Sequence, residues 1–213
     1  MEKEFKTQIS SETYFKEYDK PDRFLSYFYQ IKEVLKLNQK KVLEIGIGNK
    51  TVTNYLKDQR LKVTTCDFDK DLKPDYVADV RNLPFKENSF DIILICEVLE
   101  HIPYKDFTKA LKNIHKTTKK YVVMSIPYSL IYFEIAIKFP FIRRIFNKSL
   151  LNFIIRIPSF TKIKFEGQHY WEIGRRGYPI KRIRKDISKF FKIKRELRVP
   201  LNPFHYFFIL EKK

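Results

Sequence analysis

The sequence predicts an α/β chain built on a doubly wound, mostly parallel sheet, with a C-terminal antiparallel hairpin and a helical lid insertion. Three observations carry that expectation. Between residues 41 and 127, short apolar runs alternate with segments of helical period, the pattern of successive βαβ units. The run Phe90-Asp-Ile-Ile-Leu-Ile-Cys96 is nearly continuous in apolar side chains, as a strand covered on both faces should be. The first such run closes on Gly46-Ile-Gly48, a turn whose glycines let backbone approach a ligand closely. With 213 residues, of which 44% are hydrophobic and 16% aromatic, the chain can bury a sizeable core. Global disorder and a disulfide-stapled miniprotein are thereby excluded.

Each element follows from local pattern. Phe24, Tyr27, Phe28, Ile31, Val34, Leu35 and Leu37 recur at helical spacing after Pro21, with Asp22 expected as N-cap. Lys41 to Ile45 reads as the first strand, and Thr51 to Arg60 as the helix after the glycine turn. A second strand is expected at Lys62 to Cys66, ending on Asp67. A third spans Tyr76 to Val80 and contains Asp79, and the fourth is Phe90 to Cys96. Phe107, Ala110, Leu111 and Ile114 mark a helix over Lys105 to Thr118, and Tyr121 to Ile126 reads as a fifth strand closed by Pro127. Residues 128–161 change character, with apolar side chains interrupted by Glu134, Lys138, Pro140, Arg143 and Arg144, and read as an inserted helical segment. A basic helix at Ile180 to Phe191 precedes two β-like runs, Lys192 to Val199 and Phe204 to Leu210, paired across Pro200 to Pro203. The expected organisation is one domain: an N-terminal helical lid (1–40), an α/β core (41–127), a helical insertion (128–178), and a C-terminal helix and hairpin completing the sheet (179–213).

Composition narrows the partners. Lys and Arg number 43 against 25 Asp and Glu, a net charge of +18. Residues 1–127 carry +4 of it and residues 128–213 carry +14. A basic, aromatic C-terminal part suits a phosphate-bearing or anionic partner, be it nucleic acid, a nucleotide-linked sugar or a membrane surface, or else forms a solvated face. The two cysteines, Cys66 and Cys96, lie in apolar runs and read as buried free thiols. The charged start, the lack of an 18-residue apolar stretch and the cysteine usage fit a cytoplasmic protein, with peripheral membrane contact through Leu130 to Ile157 as one reading and two core helices as the other.

In open α/β sheets ligands bind at the carboxyl ends of the strands, where Gly46, Asp67, Asp79, Glu97 and Pro127 are expected. A dinucleotide fingerprint would place a third glycine where Asn49-Lys-Thr51 stands, which argues against hydride chemistry. Asp67, about twenty residues after the turn, suits a ribose without requiring a dinucleotide. Taken together, Glu44-Ile-Gly-Ile-Gly48, Asp67, Ala78-Asp-Val80, Leu83-Pro-Phe-Lys-Glu-Asn-Ser-Phe-Asp91 and Glu97-Val-Leu-Glu-His101 resemble, in order over residues 40–127, a class I S-adenosylmethionine-dependent methyltransferase of the small type 11 kind, with a Rossmann-like fold.

The resemblance implies S-adenosyl-L-methionine as cofactor and a role for each matching position. Gly46 and Gly48 would lie against the methionine part, and Glu44 would favour its ammonium group. Asp67 would hold the ribose, Phe68 would flank the adenine, and Asp79 with the backbone of Val80 would meet the adenine amino group. The carbonyl of Cys96 would face the cofactor amine, with Glu97 beside it. Tyr14 and Tyr18 would cover the cofactor, while Arg23, Tyr27, Gln30 and the insertion would wall the acceptor. His169, in Gln168-His-Tyr-Trp-Glu172, and His101 are the candidate catalytic residues, because a neutral imidazole can take a proton from a hydroxyl as the methyl transfers. Both could instead merely shape the pocket. Metal-dependent branches of the family use a similar Glu-x-x-Glu-His. No metal is expected here, although Glu97, Glu100 and His101 would be the ligands if one bound. The expected reaction is methyl transfer to an oxygen, less readily a nitrogen, of a small-molecule, glycan or lipid-linked acceptor. RNA 2′-O-methylation and a catalytically silent binding protein are the alternatives.

Overall fold

The structure is a computed structural model and describes residues 20–129, 131–138, 141, 151–157, 165 and 168–213. Helix α1 (Pro21–Lys36) leads into strand β1 (Lys41–Ile45), helix α2 (Thr51–Asp58) and strand β2 (Lys62–Asp67). Strand β3 (Tyr76–Val77) follows, then β4 (Phe90–Cys96), helix α3 (Tyr104–Thr117) and β5 (Thr118–Pro127). Strands β6 (Ile131–Ile137) and β7 (Leu151–Ile157) come next, then helix α4 (Ile180–Ile187), β8 (Phe191–Val199) and β9 (Asn202–Lys212). Seven strands form one sheet in the order β3-β2-β1-β4-β5-β9-β8. The pairs among β1 to β5 are parallel, and β9 joins β5 and β8 antiparallel. The chain order reverses between β1 and β4, which opens a crevice at their carboxyl ends.

Apolar side chains are buried on both faces of the sheet. On one face Leu43, Ile93, Ile95, Met124 and Phe208 pack with Phe107, Leu111 and Ile114 of α3, with Ile183 and Ile187 of α4, and with Trp171. On the other, Val42, Ile92, Leu94, Val123, Phe207 and Ile209 meet Val34 of α1 and Val52 and Leu56 of α2. This two-sided cover is the reason β4 reads as a continuous apolar run.

Several expectations are corrected. Helix α1 starts at Pro21, with Lys20 rather than Asp22 as its N-cap, because proline at the first helical position needs no N–H partner. Its apolar stripe is only partly its buried face: Val34 is buried, but Phe24, Phe28 and Leu35 are exposed, whereas the polar Ser26, Gln30 and Glu33 are buried. The buried polar groups find partners, Glu33 with Arg195 of β8 and Ser26 with His205 of β9, and so tolerate burial. Strand β3 stops at Val77 because the Asp79 carboxylate accepts the Arg81 N–H at 2.7 Å and starts a 3-10 turn over Val80–Asn82. The helical lid is not what the described residues show. Residues 131–137 and 151–157 form an antiparallel two-stranded ribbon, as their density in isoleucine and phenylalanine favours. Leu130, Pro140, Arg143 and Arg144 lie outside the described residues.

Candidate functional site

At the carboxyl ends of β1, β2 and β4 a cavity of about 320 Å³ opens, lined by the turns after each strand and closed from above by Arg23, Tyr27 and Gln30 of α1. The turn after β1 shapes its floor. Gly46 has φ +81°, and a β-carbon there would meet Val98 Cγ2 at 2.2 Å, so only glycine fits. Where a third glycine was missing, Lys50 itself adopts the left-handed conformation, φ 62°, and its ammonium donates to the Lys73 carbonyl at 3.0 Å.

Glu44, Gly46, Gly48, Asp67, Phe68, Asp79, Val80, Cys96 and Glu97 all line this cavity, so these nine positions named from the sequence converge on it. Asp67 is held by two backbone donors: Ile47 N–H gives to Oδ2 at 2.9 Å and Asp69 N–H to Oδ1 at 3.0 Å. The Phe68 N–H also favours the ionised carboxylate, which has lone-pair capacity left to accept a hydroxyl. Burial raises its pKa, against the pull of those N–H groups. Glu44 is buried, accepts the Thr53 hydroxyl, and is pushed up to about 7 by burial. Asp79 is gripped by Arg81, which also reaches Asp106 at 3.3 Å; these bonds hold Asp79 below the usual carboxylate range despite the opposing effect of burial. Phe68 is exposed at the rim, free to stack on a flat group.

The opposite end of the cavity is built from three separated segments. Glu97 sits at φ 54°, accepts the Ser125 hydroxyl at 2.7 Å and lies 3.6 Å from His205 Nε2. Residues 168–173 are strapped onto the 3-10 turn Leu99–His101 and its flank: Tyr170 N–H donates to the Glu100 carbonyl at 2.9 Å, and Trp171 Nε1 donates to the Ile102 carbonyl at 3.1 Å. The strap brings His169 beside His101, their rings 4.9 Å apart. His101 Nδ1 lies 3.1 Å from the Gln168 carbonyl and His169 Nδ1 lies 2.7 Å from Glu172 Oε1. A carbonyl and a carboxylate only accept, so both Nδ1 atoms carry a proton. Burial, and then His169, lower the His101 pKa to about 4, so its ring is neutral.

Glu100 is 0% exposed, and among the described residues neither carboxylate oxygen has a hydrogen-bond partner. Burial first, and Glu97 next, raise its pKa well above normal. Among the described residues, ligand atoms of Glu100, His101 and His169 all lie within 4.8 Å of one another. An orphaned carboxylate beside two imidazoles with fixed Nδ1 protons is a donor set that fits a divalent cation. Its third member is His169 rather than the Glu97 expected from the sequence, since the Glu97 carboxylate is turned to Ser125 and His205. Tyr14 and Tyr18 lie outside the described residues. Sequence reasoning passed over His205 and Glu172: one is a polar position within the apolar run Phe204 to Leu210, the other an acid three residues after His169, and only their neighbours give either a use.

The comparisons with known proteins agree with this fold. Residues 43–124 match the methyltransferase domain family. An uncharacterised protein of Methanocaldococcus jannaschii is 33% identical over 129 residues, 55% of each chain, so the match spans about half the length of that curated relative. A Burkholderia thailandensis 1,6-didemethyltoxoflavin-N1-methyltransferase, solved with its substrate and S-adenosylhomocysteine, superposes with a TM-score of 0.62 at 16% identity, covering 95% of this chain and 84% of that one. An S-adenosylmethionine-dependent methyltransferase from Clostridium acetobutylicum also gives 0.62, at 12% identity, over 94% and 98%. The strand order and these superpositions show the fold shared with S-adenosylmethionine-dependent methyltransferases, and residues 43–124 at its core match the methyltransferase domain family.

Proposed function

We propose that the protein transfers a methyl group from S-adenosyl-L-methionine to an oxygen of a small-molecule, glycan or lipid-linked acceptor. The observation that carries the reading is the convergence of Glu44, Gly46, Asp67, Phe68 and Asp79 on one cavity, with His101 and His169 at its far end. Asp67 accepts the ribose hydroxyls, Glu44 faces the ammonium group, and Asp79 with Val80 meets the adenine edge beneath Phe68. Methyl transfer needs mainly in-line placement of the nucleophile, since the sulfonium is already activated. Arg23, Tyr27 and Gln30 wall the acceptor, and His169 Nε2, oriented by Glu172, takes the hydroxyl proton as the methyl leaves sulfur, with His101 beside it. Were Glu100, His101 and His169 to hold a divalent cation instead, it would supply a Lewis acid for the acceptor oxygen, and His169 Nε2 would then be its ligand rather than the base.

Calorimetric titration with S-adenosylmethionine and S-adenosylhomocysteine tests the reading, with NADH as control. Saturable binding of the first two alone is expected. Asp67→Ala should raise the dissociation constant by roughly tenfold or more, the loss of charge-assisted hydrogen bonds. Absence of binding would mean that the fold serves partner recognition instead, and an unchanged constant for Asp67→Ala would remove the ribose assignment. Oxygen and nitrogen acceptors are then separated by radiolabelled transfer into extracts and by the stability of the product to alkali.

A further inference from the structure

The ribbon of β6 and β7 has two unlike faces. In its register Ile131 opposes Ile157, Phe133 opposes Ile155, Ile135 opposes Phe153 and Ile137 opposes Leu151, so these eight apolar residues share one face. Tyr132, Glu134, Ala136, Asn152 and Ile154 share the other. The mixed face is tied to the body of the protein: Glu134 accepts the Leu201 N–H at 2.6 Å, in the turn between β8 and β9, and also bonds Asn152. The apolar face is open. Ile131, Phe133, Ile135, Phe153, Ile155 and Ile157 are 46% to 64% exposed, a contiguous apolar surface of a kind that soluble monomers rarely leave in water.

We propose that this face seats the protein on an anionic lipid surface. Charge selects that occupant. From residue 135 to 165 the sequence holds seven Lys and Arg and no Asp or Glu, and Lys138, at the end of β6, is exposed. A second copy of a chain of net charge +18 would be repelled from so basic a region, whereas anionic headgroups are drawn to it. Geometry agrees. A ribbon lying flat dips one row of side chains below the headgroups, while the unpaired N–H and C=O groups along its outer edges stay at the level where water satisfies them. It is rooted at the active end of the sheet, since β6 follows β5 after three residues and Tyr128 bridges Ile173 beside the His169 strap. Docking on this face would therefore hold the mouth of the cavity near the membrane. The surface stands on its own observations, independently of methyl transfer.

Co-sedimentation of the full chain with phosphatidylcholine vesicles, with and without phosphatidylglycerol, tests the proposal. The chain is expected to partition onto the anionic vesicles. Replacing the opposed pair, Phe133→Ser with Ile155→Ser, should weaken partitioning by roughly tenfold or more, the effect of removing two large apolar contacts. The thermal midpoint of the variant, read by circular dichroism, monitors its fold, and the milder Ile135→Thr serves if the double variant unfolds. Equal partitioning of folded variant and parent would overturn the proposal, since charge alone would then explain binding. So would failure of the parent to bind, or a dimer in sedimentation velocity that the variant abolishes, because the face would then belong to a second copy.

Discussion

Glu44 and Asp67 differ by the partners each has when buried. Asp67 is compensated by two backbone N–H groups, whereas Glu44 has one hydroxyl from Thr53 and the more distant Lys57, with Asp67 itself opposing its ionisation. In the fold Glu44 keeps its proton to about pH 7, so the folded chain binds that proton more tightly than the unfolded one. The stability this contributes is complete below its unfolded pKa and is lost as pH rises through 7. Cofactor binding should show the opposite trend. An ammonium group is favoured by the ionised carboxylate, so affinity for S-adenosylmethionine should rise by up to about tenfold between about pH 6 and 8, the gain in the ionised fraction. Titration calorimetry across that range checks it. Glu44→Gln should flatten the dependence, and a variant retaining the full slope would show that another group is responsible.

The turn after β1 is the element on which the site depends. Gly46 satisfies two demands together, a positive φ and a near approach by Val98. Gly46→Ala is expected to destabilise the protein by at least about 1–2 kcal/mol from the backbone alone, with the clash added to that. Trimming the neighbour in Gly46→Ala with Val98→Ala should recover the clash and leave the backbone cost. Urea denaturation of the two variants separates these contributions, and equal midpoints would mean that Val98 moves aside freely. This turn was legible in the sequence because glycine spacing reports backbone conformation directly. The ribbon was not: an apolar segment broken by charges suits amphipathic helix and strand alike, and only its pairing partner decides between them. The polar buried face of α1 was hidden for a similar reason. Ser26 and Gln30 look like solvent positions until His205 and the cavity lie beneath them.

At the scale of the whole molecule, charge is the main unbalanced quantity. A net +18 spread over one compact fold repels itself, and salt screens that repulsion. The thermal midpoint should accordingly rise from low to moderate sodium chloride, while binding to anionic vesicles should weaken; a midpoint that falls with salt would show that ion pairs such as Arg184 with Glu196 outweigh the net charge. No helix among the described residues is long and apolar enough to cross a membrane.

The sequence by itself determined the α/β class, the five parallel strands, the residues gathered at the strand ends around the cavity and the final antiparallel pair, because period, glycine spacing and strand-end acids are local signals written in consecutive residues. The tertiary structure alone decided the far end of the cavity. His101, His169, Glu172 and His205 come from segments up to 104 positions apart, joined by a strap whose bonds end on backbone carbonyls that every residue carries, and no local pattern records such a pairing.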